Sequence, residues 1–434
     1  VPLAISANSD LAEGRFVLFM DERITFDGVK RILHPDGFAQ FLNSVFDGGD
    51  HRYGRSLWNS IAIFSAIPER LFGESGQIIA ARMLQVGLIV ASYCIFAFGI
   101  MRSWFLRLTL LVVMLNIPFS DYYITMPKPE PLQLLFLAIF SYFFIKRNAA
   151  FSWYWIFIGL AFGTKISTPP ALLVFILVPL LVISNRDFLL ACRKPLINAS
   201  MAFFLGLAIA VPILFVPLIL SVGGYFAFNW MTNKFFLSKV SRILIAVVGI
   251  VAIFSASRKN LKVWISNTFL NNTHGADQAS INGLSWLNYF FEGWLLAPYA
   301  ISVIFFTVVV FYLAFYAAQI FKSKPCLIDQ NITAFTVAAS GLALNIAIMI
   351  GAKRLWGFYL YPGMLMMLVG TVMLIELGVS NSLKLKKESL IIANRISGYF
   401  VAICILVISG LYWAPHVIAG LEVASRRSTT NEYT

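Results

Sequence analysis

Charge is the scarcest commodity in this sequence. Asp, Glu, Lys and Arg make up only 12% of the 434 residues, against about 25% in an ordinary soluble domain. That shortage excludes a water-facing surface large enough to cover a soluble fold of this length. Cysteine is also sparse: Cys94, Cys192, Cys326 and Cys404 are far apart and form no CxxC, so neither a zinc ribbon nor a disulfide framework is indicated. The histidines His34, His51, His274 and His416 are too scattered to suggest a metal centre by themselves. There is no GxGxxG-type nucleotide loop, no internal repeat and no heptad pattern.

What is present is apolar. Hydrophobic residues reach 59% and the mean hydropathy is +0.80. They come in long runs, such as 200–222 and 297–321, and a run of about 20 apolar residues matches the hydrocarbon thickness of a bilayer. Apolar segments fall near 78–100, 105–119, 131–145, 152–166, 170–185, 199–222, 291–321, 332–350, 358–377 and 396–415. The expected fold is an all-α polytopic membrane protein, a bundle of about 10–11 transmembrane helices with a long first outer loop.

The excess of basic residues, net charge +13, is no nucleic-acid signal. Arg102/Arg107, Lys146-Arg147, Arg186/Arg193/Lys194, Lys322/Lys324 and Lys384/Lys386/Lys387/Arg395 occupy every second connection between apolar runs. Those connections are expected in the cytoplasm. The others then face outward: 7–77, 120–130, 166–170, 223–290, 351–357 and the polar tail 416–434. The parity requires that Ile243–Ala256 not cross, so it is read as an interfacial or re-entrant element within an outer loop at 223–290. The domain plan is therefore an outer segment (1–77), spans within 78–222, that outer loop, spans within 291–415, and the tail. The short apolar stretch Val1–Ile5 suggests a span or a removed segment upstream.

The long polar segment carries apolar patches at Phe38–Phe46 and Leu57–Phe72, suited to amphipathic helices lying in the interface. It also carries adjacent carboxylates, Asp21-Glu22. A partly desolvated carboxylate at a membrane face can be tuned for proton abstraction; the plainer alternative is a solvated acid or a helix cap. Further charges fall on the same expected side, at span ends: Asp121, Glu130, Lys165, Lys353 and Arg354. Each basic residue alone would pass for a snorkelling anchor. Together, carboxylates and cations around one outward cavity suit a sugar phosphate.

This pattern resembles the GT-C superfamily of glycosyltransferases that use polyprenyl-phosphate-linked sugars, in particular the branch with protein O-mannosyltransferases and lipid A aminoarabinose transferases. Asp21-Glu22 is similar to that family's acidic pair at the start of the first outer loop. Pro129-Glu130-Pro131-Leu132, the glycine-rich Gly159–Lys165 and the basic, aromatic stretch from Lys353-Arg354 to Pro362 resemble its later motifs, and Arg82 has a counterpart. The region around His274-Gly275 has none.

The resemblance implies an inverting transfer at the outer face of a membrane, such as the bacterial cytoplasmic membrane, from a polyprenyl-phosphate sugar to a hydroxyl on a glycan, lipid or protein. It gives Asp21 the role of base, with Glu22 beside it. Lys165, Lys353 and Arg354 would hold the lipid phosphate, and Asp121, Glu130, His51, Tyr53 and Arg82 would line the substrate site. No cofactor is implied, although His34 or His51 could complete a divalent-metal site with Asp21 and Glu22. Two rival readings remain: a secondary transporter or flippase, which would place charges in mid-span, and a non-catalytic membrane scaffold.

Overall fold

Apolar runs of this length must satisfy their backbone internally, and a helix does so within a single segment. The structure, a computed structural model, describes residues 20–46, 55–115, 127–147, 151–165, 167–182, 193–211, 310, 313–314, 317–318, 329–351 and 357–385. Among the described residues there is no strand. The helices are α1 (Met20–Leu33), α2 (Phe38–Phe46), α3 (Ser56–Cys94), α4 (Trp104–Leu115), α5 (Pro129–Arg147) and α6 (Trp155–Thr164). They continue with α7 (Pro169–Val182), α8 (Arg193–Ala210), α9 (Gln330–Gly351) and α10 (Tyr361–Leu385). A π-helical turn, Ile95–Ile100, extends α3, and a 3-10 turn, Gly357–Leu360, leads into α10.

Among the described residues, two stretches are helices long and apolar enough to cross a membrane, Ser56–Ile100 and Gln330–Met349, and Trp104–Met114, Trp155–Thr164, Pro169–Leu181, Pro195–Ala210 and Tyr361–Leu377 are shorter apolar helices. The expected segments at 291–321 (but for a few positions), 396–415 and 243–256, and the second part of 199–222, from 212 on, lie outside the described residues.

The expected border between outer segment and spans, at 77/78, falls just beyond a sharp bend in α3. Gly73 has φ 66° and ψ −151°, a conformation in which a β-carbon would be strained. Five residues earlier, Pro68 lacks the N–H that a helix interior uses. The bend brings the Pro68 carbonyl against Gly76, where any side chain would collide with it. The arm before the bend exposes Ile63, Ile67, Leu71 and Phe72, and α2 exposes Phe38, Phe41, Leu42 and Phe46. The two patches foreseen for an interface are thus helices with apolar faces uncovered.

Small residues set the closest helix crossings. Side chains at Gly159 of α6 and Gly206 of α8 would run into the Phe203 and Ile156 carbonyls, each on the other helix. Gly341 of α9 and Gly363 of α10 face each other in the same way, and Gly370 lies on Ala334 and Ala338. Backbones this close gain dispersion contacts that bulkier residues would prevent. Around Phe140 of α5 the rings of Phe175, Tyr154 and Trp155 pack at centroid distances of 4.6, 5.5 and 5.7 Å, which locks α5, α6 and α7 together. Helix α1 packs Phe26, Val29 and Ile32 onto Trp58, Ile61, Ala62 and Leu132.

Candidate functional site

The site forms where one set of helix ends meets. Helix α5 begins with Pro129-Glu130-Pro131. Proline suits a first helical turn, where its missing N–H leaves no intrahelical bond unmade, and a carboxylate there faces the positive end of the helix dipole. Helix α6 ends at Thr164, and Lys165 leaves it in an extended conformation with its N–H still bonded to the Ala161 carbonyl at 3.0 Å. A cation at a helix C-terminus complements the negative end. The chain then turns through Ser167 and Thr168 into Pro169, the start of α7. Thr168 fastens this corner by donating from Oγ1 to the Lys165 carbonyl at 2.9 Å.

Lys165 Nζ donates to Glu130 Oε1, and both side chains are buried, Glu130 at 1% exposure and Lys165 at 6%. The Tyr359 ring covers Lys165, with Nζ 4.2 Å from its centroid. Isolated charges this deep would be prohibitive, and pairing offsets only part of the desolvation cost. Three further polar side chains bond residues close to the pair along the chain. Gln133, one turn along α5, donates from Nε2 to Thr168 Oγ1 at 2.8 Å and to Ser167 Oγ at 3.1 Å. Gln85 of α3 donates to the Lys128 carbonyl at 3.1 Å. Ser56, heading α3, meets Thr164 Oγ1 at 3.0 Å. Because the Thr164 hydroxyl already donates to the Leu160 carbonyl, Ser56 is the donor.

Of the residues expected from sequence, the structure brings Glu130 and Lys165 into direct contact. Arg82 is buried on α3, three residues before Gln85 and on the same face. Asp21 and Glu22 lie in the first turn of α1, a helix whose core reaches Leu132, two residues from Glu130; their side chains lie outside the described residues. Asp121, His51, Tyr53, Lys353 and Arg354 lie outside them as well.

His34 follows the C-terminal end of α1, about 18 Å along the axis from Asp21-Glu22 at a rise of 1.5 Å per residue, and its Nε2 meets Glu69 Oε1 at 2.6 Å. Among the described residues no group of three or more His, Cys, Asp or Glu could hold a metal ion.

Sequence reasoning named Glu130 and Lys165 but passed over Gln133, Gln85, Ser56 and Thr168 as parts of the site. The available signal was the amide spacing: Gln133 sits one turn beyond Glu130 in an otherwise apolar run.

No protein-family model matches the chain, and no curated protein matches it either.

Proposed function

We propose that the chain is an integral membrane glycosyltransferase of the polyprenyl-phosphate-dependent, inverting kind, with its site at the outward end of a polytopic bundle. The observation that carries this reading is the buried Glu130–Lys165 pair under Tyr359, assembled at helix ends and not in mid-span. A buried ionisable pair in an apolar helical setting is expensive, and intramembrane charge of this kind marks a functional site by default. Its location at helix ends suits a substrate held at a membrane face. A transport pathway would instead place such charges near the middle of the helices.

The same reading puts α2 and the first arm of α3, with their uncovered apolar faces, in the membrane interface. Arg102, Arg107, Lys146 and Arg147, at the opposite helix ends, would face the cytoplasm.

In the reaction, the Asp21 carboxylate takes the proton of an acceptor hydroxyl. The hydroxyl oxygen bonds to the anomeric carbon from the face opposite the phosphate. The bond from that carbon to the phosphate oxygen breaks, and the lipid phosphate departs with the electron pair. The proton ends on Asp21. Lys353 and Arg354, which precede the turn carrying Tyr359, receive the departing phosphate, with Arg354 suited to a bidentate contact. Lys165 is already engaged by Glu130. It serves the phosphate as a cation fixed by its carboxylate partner, a refinement of the role expected from sequence alone.

The test is sugar transfer in membranes from polyprenyl-phosphate-linked sugars, comparing wild type with Asp21→Asn. Loss of a positioned general base lowers turnover by about 10²–10⁴-fold, with retention of the donor lipid unchanged. Full transfer by Asp21→Asn removes the proposed base. Failure of the wild type to transfer from any such donor removes the reading itself.

A further inference from the structure

At the corner beside Lys165 the buried acceptors outnumber the protons available to them. Thr168 has one hydroxyl proton, and it is committed to the Lys165 carbonyl. Toward Gln133, therefore, Thr168 Oγ1 can only accept. That fixes the Gln133 amide: Nε2 must face Thr168 and Ser167, and Oε1 must face away from them. Swapping nitrogen and oxygen would set two acceptors against each other.

Gln133 is fully buried, yet its Oε1 has no hydrogen-bond partner among the described residues. Glu130, one turn earlier on the same face of α5, repeats the situation. Its Oε1 takes Lys165, and its Oε2, also buried, has no partner. Side chains three apart on a helix are neighbours, with β-carbons about 5–6 Å from each other. The result is two neighbouring acceptor oxygens, each held in place by bonds made through the other atom of its own group.

A buried acceptor without a donor is a net cost, which a fold avoids when it can. Here the cost falls twice at one place, beside the buried Glu130–Lys165 pair. The chemical complement of two fixed acceptors is a molecule carrying two neighbouring O–H donors.

We propose that Gln133, with Glu130, recognises the sugar of the lipid-linked donor by accepting hydrogen bonds from two of its ring hydroxyls, and that Gln133 is a specificity-determining residue. This rests on the glycosyltransferase reading above and adds the residue that distinguishes a sugar-bearing lipid from the bare lipid phosphate. Glu130 has a second duty toward Lys165, whereas the Gln133 oxygen has none. Substitution at 133 leaves the Glu130–Lys165 contact itself in place. A site that hydrogen-bonds a hydroxyl discriminates strongly against ligands lacking it, because its acceptor is otherwise left unmatched.

The experiment measures retention by the purified full chain of undecaprenyl phosphate and of the same lipid carrying mannose, glucose or arabinose. Wild type is expected to prefer at least one sugar-bearing form over the bare phosphate by about tenfold or more, the worth of one or two hydrogen bonds. Gln133→Leu is expected to hold both forms equally. Thr168→Val provides the second variant. It leaves both acceptors in place but removes the anchor of the Gln133 amide, and it should reduce the preference part-way.

A purely structural role for Gln133 would lower thermal stability and leave the ratio between the two lipids untouched; that result overturns the proposal. Equal retention of bare and sugar-bearing lipid by the wild type overturns it too, while phosphate recognition and the glycosyltransferase reading stand. Retention of neither form overturns both.

Discussion

At one end of the helical bundle Glu130 and Lys165 are buried against each other beneath an aromatic ring. At the other end Glu376 of α10 receives the backbone N–H groups of Arg102, at 3.0 Å, and of Ser103, at 2.5 Å, where the chain enters α4. The Arg102 guanidinium there turns to Gln330, the first residue of α9. At both ends a glutamate on one helix accepts from another segment of the chain. They differ in what the acid neutralises. Glu130 answers a buried charge, while Glu376 caps a helix whose first N–H groups have no intrahelical partner. The Glu376 arrangement is how a fold closes a helix end at small cost. The Glu130 arrangement costs desolvation that packing alone would not require, and this difference makes it the candidate site.

The comparison breaks most visibly under single substitutions at the buried pair. Glu130→Leu or Lys165→Met alone leaves one charge buried without its counter-ion, and each should destabilise the chain by about 3–5 kcal/mol. The double variant should recover most of that loss, because well-packed apolar residues replace buried ion pairs at little or no cost. Denaturant unfolding of all four proteins in detergent supplies the double-mutant cycle. If the single losses simply add, the two charges are not each other's partner. Recovery of stability without recovery of sugar transfer would separate the pair's function from its fold.

Glu376→Ala comes next. It removes the acceptor for two backbone N–H groups at the start of α4 and should cost about 1 kcal/mol, as loss of a helix cap does. Sugar transfer should not change, since this end lies away from the site. A fall in transfer greater than the fall in folded protein would show that the two ends are coupled.

The sequence disclosed the ends of the bundle better than its middle. Charges are so few that Glu130 and Lys165 stand out against apolar neighbours, and their sequence context at span ends placed them on one side. Their direct contact was not readable, because it depends on how α5 packs against α6, through rings such as Phe140 against Tyr154 and Trp155. Tyr359 was similarly hidden, since only the turn at Gly357–Leu360 lays its ring over Lys165. Gln133 escaped notice for a chemical reason: an amide carries no charge, and its meaning lies in which of its atoms is already bonded. Hydropathy separated the apolar stretches 57–72 and 78–100. What hydropathy could not reveal is that the chain stays helical on both sides of Gly73, because a glycine absorbs the reversal in one residue.

The smallest expected effect belongs to Arg102→Ala. Its guanidinium is exposed and bonds only the Gln330 side chain among the contacts described. The two bonds that matter for α4 run from the backbone N–H groups of residues 102 and 103 to Glu376, and a side-chain truncation leaves both in place. An exposed polar contact of this kind is screened by solvent and opposed by the entropy of holding a long side chain, so the loss should stay below about 1 kcal/mol. Denaturant midpoints of Arg102→Ala and Glu376→Ala, measured together, decide the point. If the arginine variant loses as much as the glutamate variant, the guanidinium and not the cap holds this end, and the contrast between a charge-pairing end and a helix-capping end no longer stands.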